Sequence, residues 1–436
     1  MYRAVGEWDK TRKKSVKKTL YVGSISLEGV FAPKKERPFF ETNNEVYEYG
    51  NSMLALRLID DCRGLLGRYA DEIVAMSMLK ALDPCPLRLM QSRWQKYYAS
   101  LMIDPDLRPS SLSHVLREMG KDVSTWYRLF SSLTPAGDLL LYDLTCVFTR
   151  SEKIKSAGRG YNKDHVYVDQ VGVVMAFSTR DMLPVGLDVF NGSLRDVSTI
   201  SDFVERLGRN DIGFVLDTGF YDQKLLGQFR ERRIQYVVPL TRNSNLLEVR
   251  GFDTFFQYRD RGVQAMKIRL DDDYLYVYRD PLLRGDEEST LIKRLGNGLI
   301  TKQLYDKKME RTGIIGLRSS FDDSPEKIYD LYKGREDVEQ VFDSLKNTLE
   351  SDKTYMQSQE AIRGYMLITF LASRIHYKIL KRLKEADLLK KTSVEEVLSE
   401  LSKIEVIKEK TGRQYYAKIP KKARELESIF PESTMC

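Results

Sequence analysis

The order of apolar segments after Gly137 constrains the fold of this chain more than any other feature of its sequence. Residues 139–145 form a short apolar run typical of a buried strand, and longer strand candidates follow at 166–178 and 183–190. Helix-like and strand-like segments then alternate as far as Leu240. The predicted order is β-β-β-α-β-α-β, which indicates an α/β domain built around one sheet.

Two acidic residues interrupt or end these apolar strands. Asp143 lies in the middle of the first strand, where a lone carboxylate is costly unless it is paired or bound to a metal ion. Asp217 ends the strand at 212–216 and is followed by Gly219, which allows a sharp departure from the sheet. Acids at strand ends of an α/β sheet lie where ligands bind, although a single such acid is more often a turn or capping residue.

A predicted helix at 332–346 carries a third acid among residues suited to binding phosphate. Four polar residues recur at offsets of three, four and seven and therefore share one side of the helix: Tyr332, Arg335, Glu339 and Lys346. An acid beside two cations and a phenol suits a nucleic-acid phosphate that carries Mg²⁺. The alternative is a solvated helix face, because an Arg four residues before a Glu commonly forms a surface pair worth about 0.2–0.5 kcal/mol.

Taken together, these motifs resemble the DDE transposases of prokaryotic insertion sequences, in the branch with a Tyr-Arg-Glu-Lys signature helix. The helix at 332–346 matches every spacing of that signature. Residues 142–145 (Tyr-Asp-Leu-Thr) and 217–220 (Asp-Thr-Gly-Phe) look like the first and second acid motifs, and 192–196 (Gly-Ser-Leu-Arg-Asp) is also similar. The resemblance covers about 138–375 and implies a ribonuclease-H-like fold.

The resemblance implies a metal-dependent reaction on DNA. Asp143, Asp217 and Glu339 would be the catalytic residues and would hold two Mg²⁺ ions, with Mn²⁺ able to substitute. Such ions, about 3.5–4 Å apart, assist in-line displacement at a phosphodiester. Water would first cut the element end and free a 3′-hydroxyl. That hydroxyl would then attack target DNA and join the element to it.

The expected partners follow from the same resemblance. Tyr332, Arg335 and Lys346 would bind DNA phosphates, Arg through a bidentate fork and Lys as a point charge. The double-stranded DNA would be the element ends and the target, and a homodimer is expected because two ends are cut together. The net charge of +7 favours polyanion binding only weakly. The sequence predicts no membrane span, so we expect a cytoplasmic, nucleoid-associated protein.

Breaks in these patterns divide the 436 residues into five parts. The predicted parts are a basic segment of unassigned role (1–50), a helical domain that could bind DNA ends (51–136), the catalytic domain (137–241 and 321–350), a β-rich insertion before the helix of the third acid (242–320), and a helical, basic C-terminal region (351–436). Within the insertion, residues 266–270 and 275–278 predict a hairpin.

Two other functions stay open on the sequence alone. A domesticated transposase could bind DNA without catalysis, although a pure DNA-binding protein has no need for three acids that repel phosphates. A nuclease or resolvase of the same fold would share the acids. It would differ in forming no product that joins donor to target DNA.

Overall fold

The described part of the chain comprises two compact units. The computed structural model describes residues 2–9, 14–26, 29–33, 44–149, 151, 154, 157–158, 169–191, 198–247, 251–335, 353–354 and 356–434. One unit contains residues 1–45 and 408–413, and the other contains 46–407 and 414–436. The N-terminal residues of the first unit form two antiparallel hairpins, β1 (Tyr2–Asp9) with β2 (Lys14–Tyr21) and β3 (Gly23–Ile25) with β4 (Phe31–Pro33).

Five helices precede the large sheet and follow the short strand β5 (Glu45–Glu48). They are α1 (Gly50–Arg63), α2 (Ala70–Leu82), α3 (Met90–Trp94), α4 (Pro109–Lys121) and α5 (Val123–Leu133). Proline in the first turn starts α4, and Asp122 caps α5 by accepting a hydrogen bond from the Thr125 N–H. A single residue therefore separates these two helices.

Among the described residues of the second unit, ten strands form one large sheet. Its strands are β6 (Leu139–Thr149), β7 (Gln170–Ser178), β8 (Pro184–Asn191), β9 (Gly213–Val215), β10 (Gln235–Pro239), β11 (Thr254–Tyr258), β12 (Arg261–Arg269), β13 (Tyr274–Arg279), β14 (Ile314–Ser319) and β15 (Lys353–Thr354). The spatial order is β11-β12-β13-β14-β10-β9-β6-β7-β8, and β15 pairs with β6. Helices α6 (Ser198–Leu207) and α7 (Gln223–Glu231) connect β8 to β9 and β9 to β10. The succession from β6 to β10 is the β-β-β-α-β-α-β order that the sequence predicted.

The segment predicted as a β-rich insertion extends this same sheet. The predicted hairpin is confirmed, because β12 pairs antiparallel with β13 and aligns Met266 with Val277. Strand β14 pairs antiparallel with both β13 and β10, so the segment continues the sheet beyond β10. It also contains two helices, α8 (Pro281–Gly296) and α9 (Lys302–Met309). A further helix, α10, is described over residues 325–335.

The long helix α11 (Gln359–Glu385) joins the N-terminal helices to the sheet. It packs against α1, α2, α4 and β8. Where α4 and α11 cross, a Cβ added to Gly120 would lie 1.8 Å from the Glu360 carbonyl oxygen, and one added to Gly364 would lie 2.1 Å from that of Leu116. The two helix backbones are thus in direct contact.

The remaining elements follow α11. They are α12 (Val394–Leu401), β16 (Glu405–Lys408), β17 (Gln414–Tyr416) and α13 (Lys421–Glu425), and β17, β16 and β5 form a three-stranded sheet. Among the described residues, no helix has the length and apolar character needed to cross a bilayer.

An ion cluster also joins α1 to α11 and makes stability depend on pH. The Asp61 carboxylate lies 2.9 Å from Arg374 and 2.8 Å from Lys378. Burial opposes the charge, but the two cations lower the pKa of Asp61 below its usual value. A carboxyl with a depressed folded-state pKa stabilises the fold above its unfolded pKa, and this contribution is lost as the pH falls through the folded value.

We therefore expect Asp61→Asn to reduce the free energy of unfolding at pH 7 by about 1–2 kcal/mol. This is less than for a fully buried pair, since the Asp61 side chain is 39% exposed and solvent screens the charges. Urea denaturation of both proteins at pH 7 and at progressively lower pH would measure the difference. The two curves should begin to converge as the pH falls below the unfolded pKa of about 4, and should meet once it has fallen through the lower pKa of the folded protein. A difference that stayed constant with pH would contradict this explanation.

Candidate active site

Asp143 lies in β6, and Asp217 lies two residues after the end of β9, the strand that pairs parallel with β6. β6 and β9 pair in register, and Leu141 aligns with Val215. Each acid comes two residues after this last pair, and the backbone at Asp217 is still extended. Because side chains alternate along a strand, both acids share the face of Leu141 and Val215, on strands about 4.8 Å apart. The register thus brings the two predicted acids together at the carboxyl end of β9.

Aromatic packing on the opposite face holds both acid motifs. Tyr142 is fully buried, and its ring centroid lies 5.5 Å from that of Phe203, 6.0 Å from Phe214 and 5.4 Å from Phe220. Phe203 comes from α6, and Phe220 belongs to the short turn directly after Asp217. The same rings therefore anchor β6, β9 and the turn. Sequence reasoning missed Phe203, and it included Phe220 only as part of the second acid motif, because a buried phenylalanine carries no local sign of what it supports.

Both carboxylates are partly exposed, which reduces the cost of their charge. The Asp143 Oδ1 accepts a hydrogen bond from the Leu144 N–H at 2.8 Å, and the Asp217 Oδ1 accepts one from the Thr218 N–H at 2.6 Å. The Asp217 side chain is 44% exposed. Asp143 is half-buried rather than enclosed in the core, so the sequence argument overestimated its burial.

Helix α10 contributes a cation to this face. The Arg335 guanidinium Nη1 lies 2.7 Å from the Asp217 Oδ1, and its side chain is 13% exposed. The guanidinium carbon stands 5.6 Å from the centroid of the Tyr332 ring, within the range of a cation–π contact. The alternative of a solvated surface pair does not describe Arg335, which is mostly buried and reaches an acid 118 positions away in the sequence.

Two predicted site residues and one predicted motif fall outside the part of the chain that the structure describes. Glu339 and Lys346 lie outside the described residues, as does the motif at 192–196. Of the six predicted site residues, the structure describes Asp143, Asp217, Tyr332 and Arg335. It directly joins Asp217 to Arg335, and Arg335 to Tyr332.

The donor set suits a hard divalent cation. Mg²⁺ binds carboxylate oxygens and keeps water in its remaining positions, which requires partly exposed acids such as these two. Within the described ranges no group of three or more His, Cys, Asp or Glu residues could hold a metal, and the third predicted acid lies outside them. Asp143 and Asp217 therefore form an acid pair able to contribute to a metal site. They do not complete such a site alone.

The mixed sheet that contains β6 and β9, together with Asp143 and Asp217, lies within a part of the chain that matches a known family. A family model described as "Transposase DDE domain" matches residues 134–375, more than half of the 436 residues. The chain therefore belongs to the DDE transposases, which are enzymes of DNA transposition and recombination.

One similar solved structure is described as a cryo-EM structure of the piggyBac transposase synaptic complex with hairpin DNA. The sequence identity is 11% and the TM-score is 0.45, with 83% of this chain and 82% of that chain covered. No curated protein matches the chain.

Proposed function

We propose that this transposase cuts the ends of an insertion element by metal-dependent hydrolysis and joins the freed 3′-hydroxyl to target DNA. We further propose that it belongs to the branch with the Tyr-Arg-Glu-Lys signature helix and to a prokaryotic insertion sequence. The observation that supports this most is the pairing of Arg335 on the signature helix with Asp217, which closely follows the strand next to that of Asp143. Two of the three motifs thereby meet in space.

In this proposal Asp143, Asp217 and Glu339 would hold the divalent ions, most simply two Mg²⁺. When bound, such ions stabilise the attacking and leaving oxygens of an in-line displacement. The carboxylates supply the hard oxygen ligands that these ions prefer. We also propose the division of the chain into the five parts given above, in which residues 51–136 bind the element ends.

The cationic residues of the signature helix would bind and orient the DNA. Arg335 carries five N–H donors in a planar fork, so it can bind a phosphate through two of them. Tyr332 lies against the guanidinium and limits the directions in which the fork points. Lys346 would add a second positive charge to the same backbone.

The reaction proceeds in two displacements. In the first, water attacks a phosphorus atom at the element end, a new P–O bond forms, and the bond to the 3′ oxygen breaks to leave a 3′-hydroxyl. In the second, that 3′ oxygen attacks a target phosphodiester, and the target's own 3′ oxygen leaves. The DNA substrate would place the protein at the nucleoid, in the cytoplasm. A homodimer would cut both ends together, and gel filtration with and without end DNA would test this.

The decisive experiment incubates the purified protein and Mg²⁺ or Mn²⁺ with DNA carrying the inverted repeats that flank its gene. We expect nicked or cut ends and products that join donor to target. Metal-independent binding without any cleavage would instead indicate a domesticated DNA-binding protein. Cleavage without joined products would indicate a nuclease or resolvase.

A change at Arg335 should alter how DNA binding depends on salt. Arg335→Ala removes one phosphate contact, so the slope of log affinity against log salt should fall in magnitude by about one. Arg335→Lys keeps the charge and should preserve the slope, while the loss of the fork should still slow cleavage. Fluorescence anisotropy with labelled end DNA at several salt concentrations measures both. An unchanged slope in Arg335→Ala would remove Arg335 from the proposed DNA-binding residues.

A further inference from the structure

Asp280 is a buried acid for which the proposed reaction has no direct use. It follows β13, is 1% exposed, and caps α8 by accepting a hydrogen bond from the Leu282 N–H at 3.0 Å. The Arg261 guanidinium lies 3.0 Å from its Oδ1 and 3.1 Å from its Oδ2. Burial opposes its charge, but the Tyr329 hydroxyl and Arg261 lower the pKa of Asp280. It is therefore a carboxylate at neutral pH.

The carboxylate also binds helix α10. The Tyr329 hydroxyl donates a hydrogen bond to the Asp280 Oδ2 at 2.6 Å, and the Lys333 Nζ lies 3.9 Å from the same oxygen. Tyr329 and Lys333 are four residues apart and so lie on one side of the helix. At about 100° per residue, Arg335 projects from a markedly different side. One side of α10 is thus held by Asp280 while another presents Arg335 to Asp217.

Other side chains of the segment 242–320 bind the start of the same helix and the residues just before it. The Tyr278 hydroxyl donates to the Pro325 carbonyl oxygen at 2.9 Å, and the Tyr276 hydroxyl donates to that of Phe321 at 2.8 Å. The Tyr329 ring packs against rings of this segment, with a centroid distance of 4.9 Å to Tyr278. These contacts bind the N-terminal end of α10, while Asp280 contacts the side of the helix that carries Tyr329 and Lys333.

We propose that Asp280 is a positioning residue for the transposase reaction, acting with Tyr329 to hold α10 in the rotation that places Arg335 on Asp217. The inference rests on the proposed function for its catalytic readout. Through Asp280, the segment 242–320 would help to position residues of the site while lying outside the site itself. A displacement of about 1 Å in a catalytic arrangement can cost about 100-fold in rate, so a loosened α10 should slow cleavage strongly.

Two substitutions test the contact between Asp280 and Tyr329 while changing little else in the surrounding packing. Tyr329→Phe removes one hydroxyl and keeps the ring packing. Asp280→Asn removes the charge and keeps a good capping residue for α8. Tyr127→Phe is the matched control, because the Tyr127 hydroxyl also donates a hydrogen bond to a carboxylate, that of Asp188, at 2.9 Å. An arginine stays beside the acid in both cases: Arg261 beside Asp280, and Arg206 beside Asp188 at 3.5 Å.

Three measurements would be made on the full-length proteins: the single-turnover cleavage rate on end DNA, the affinity for that DNA, and hydrogen exchange of the backbone at 325–335. For Tyr329→Phe and Asp280→Asn we expect cleavage slowed by about 10- to 100-fold, affinity changed by less than about threefold, and faster exchange in α10. Tyr127→Phe should lose as much thermal stability as Tyr329→Phe, but its cleavage rate and the exchange of α10 should stay at the wild-type values.

The outcomes separate this inference from the proposed function. If the wild-type protein cuts DNA and Tyr329→Phe cuts it equally fast, Asp280 has no positioning role. If Tyr127→Phe slows cleavage as much as Tyr329→Phe, the effect is general destabilisation, and the inference is again wrong. If the wild-type protein cuts nothing, the proposed function fails. The exchange of residues 325–335 then still decides whether Asp280 and Tyr329 hold the helix, and unchanged exchange would overturn the inference.

Discussion

Asp143→Ala, Asp217→Ala and Glu339→Gln should each abolish strand cleavage, with a loss of about 1,000-fold or more. The proposed ions need carboxylate oxygens, and neither alanine nor an amide replaces the charge that an acid contributes. Time courses of cleavage of end DNA in Mg²⁺ and in Mn²⁺ would measure the loss. DNA affinity should persist, because removing an acid does not remove a phosphate contact.

Asp211 offers a matched control for this series. It precedes β9 while Asp217 follows it, and its carboxylate pairs with Arg209 at 2.6 Å on the exposed surface. Asp211→Asn should therefore cut DNA at the wild-type rate. Full activity in any one of the three catalytic variants would refute the assignment of that residue. Weaker Mn²⁺ binding by Asp143→Ala, measured calorimetrically, would support the assignment without reference to cleavage.

Gly120→Ala should produce the largest loss of stability. The added methyl carbon would lie 1.8 Å from the Glu360 carbonyl oxygen, a backbone atom that cannot turn aside as a side chain can. Helices α4 and α11 would have to separate, and we expect a loss of about 3 kcal/mol or more, at the upper end of overpacking effects. Chemical denaturation and the thermal midpoint would measure it.

Gly227 in α7 supplies the control for that substitution. Nothing lies within 4 Å of a Cβ built there, so Gly227→Ala gains helix propensity without a clash. It should stabilise the protein by about 0.5–1 kcal/mol. Opposite signs for the two variants would identify close helix packing as the cause. A small effect of Gly120→Ala would mean that α4 and α11 are farther apart in solution.

Local patterns were sufficient to predict the strands from β6 to β10 and to single out two of the acids as candidates. Apolar runs mark buried strands wherever they pair, so the succession from β6 to β10 could be predicted without knowing the partners. Asp143 and Asp217 were visible because a charge in or beside such a run is unusual. The spacing of Tyr332 and Arg335 likewise indicated one helix face.

Partner choice between distant segments could not be predicted in the same way. Nothing in the sequence near β14 indicates that it pairs with β10, yet that pairing makes the segment 242–320 part of the central sheet. Because Asp280 precedes a proline, the sequence alone indicates an ordinary helix N-cap at this position. Its contacts with Arg261 and Tyr329 depend on a fold that brings together residues 19 and 49 positions away.

Because α4 packs on α11, this contact can form only after the ribosome has released α11. A ribosome releases α4 more than two hundred residues before it completes α11. Until then the side of α4 that packs on α11 in the finished fold, where Leu116 lies at the crossing, lacks this partner. Chaperones would have to shield this surface on the nascent polypeptide, and a product terminated early would be a target for quality-control proteases.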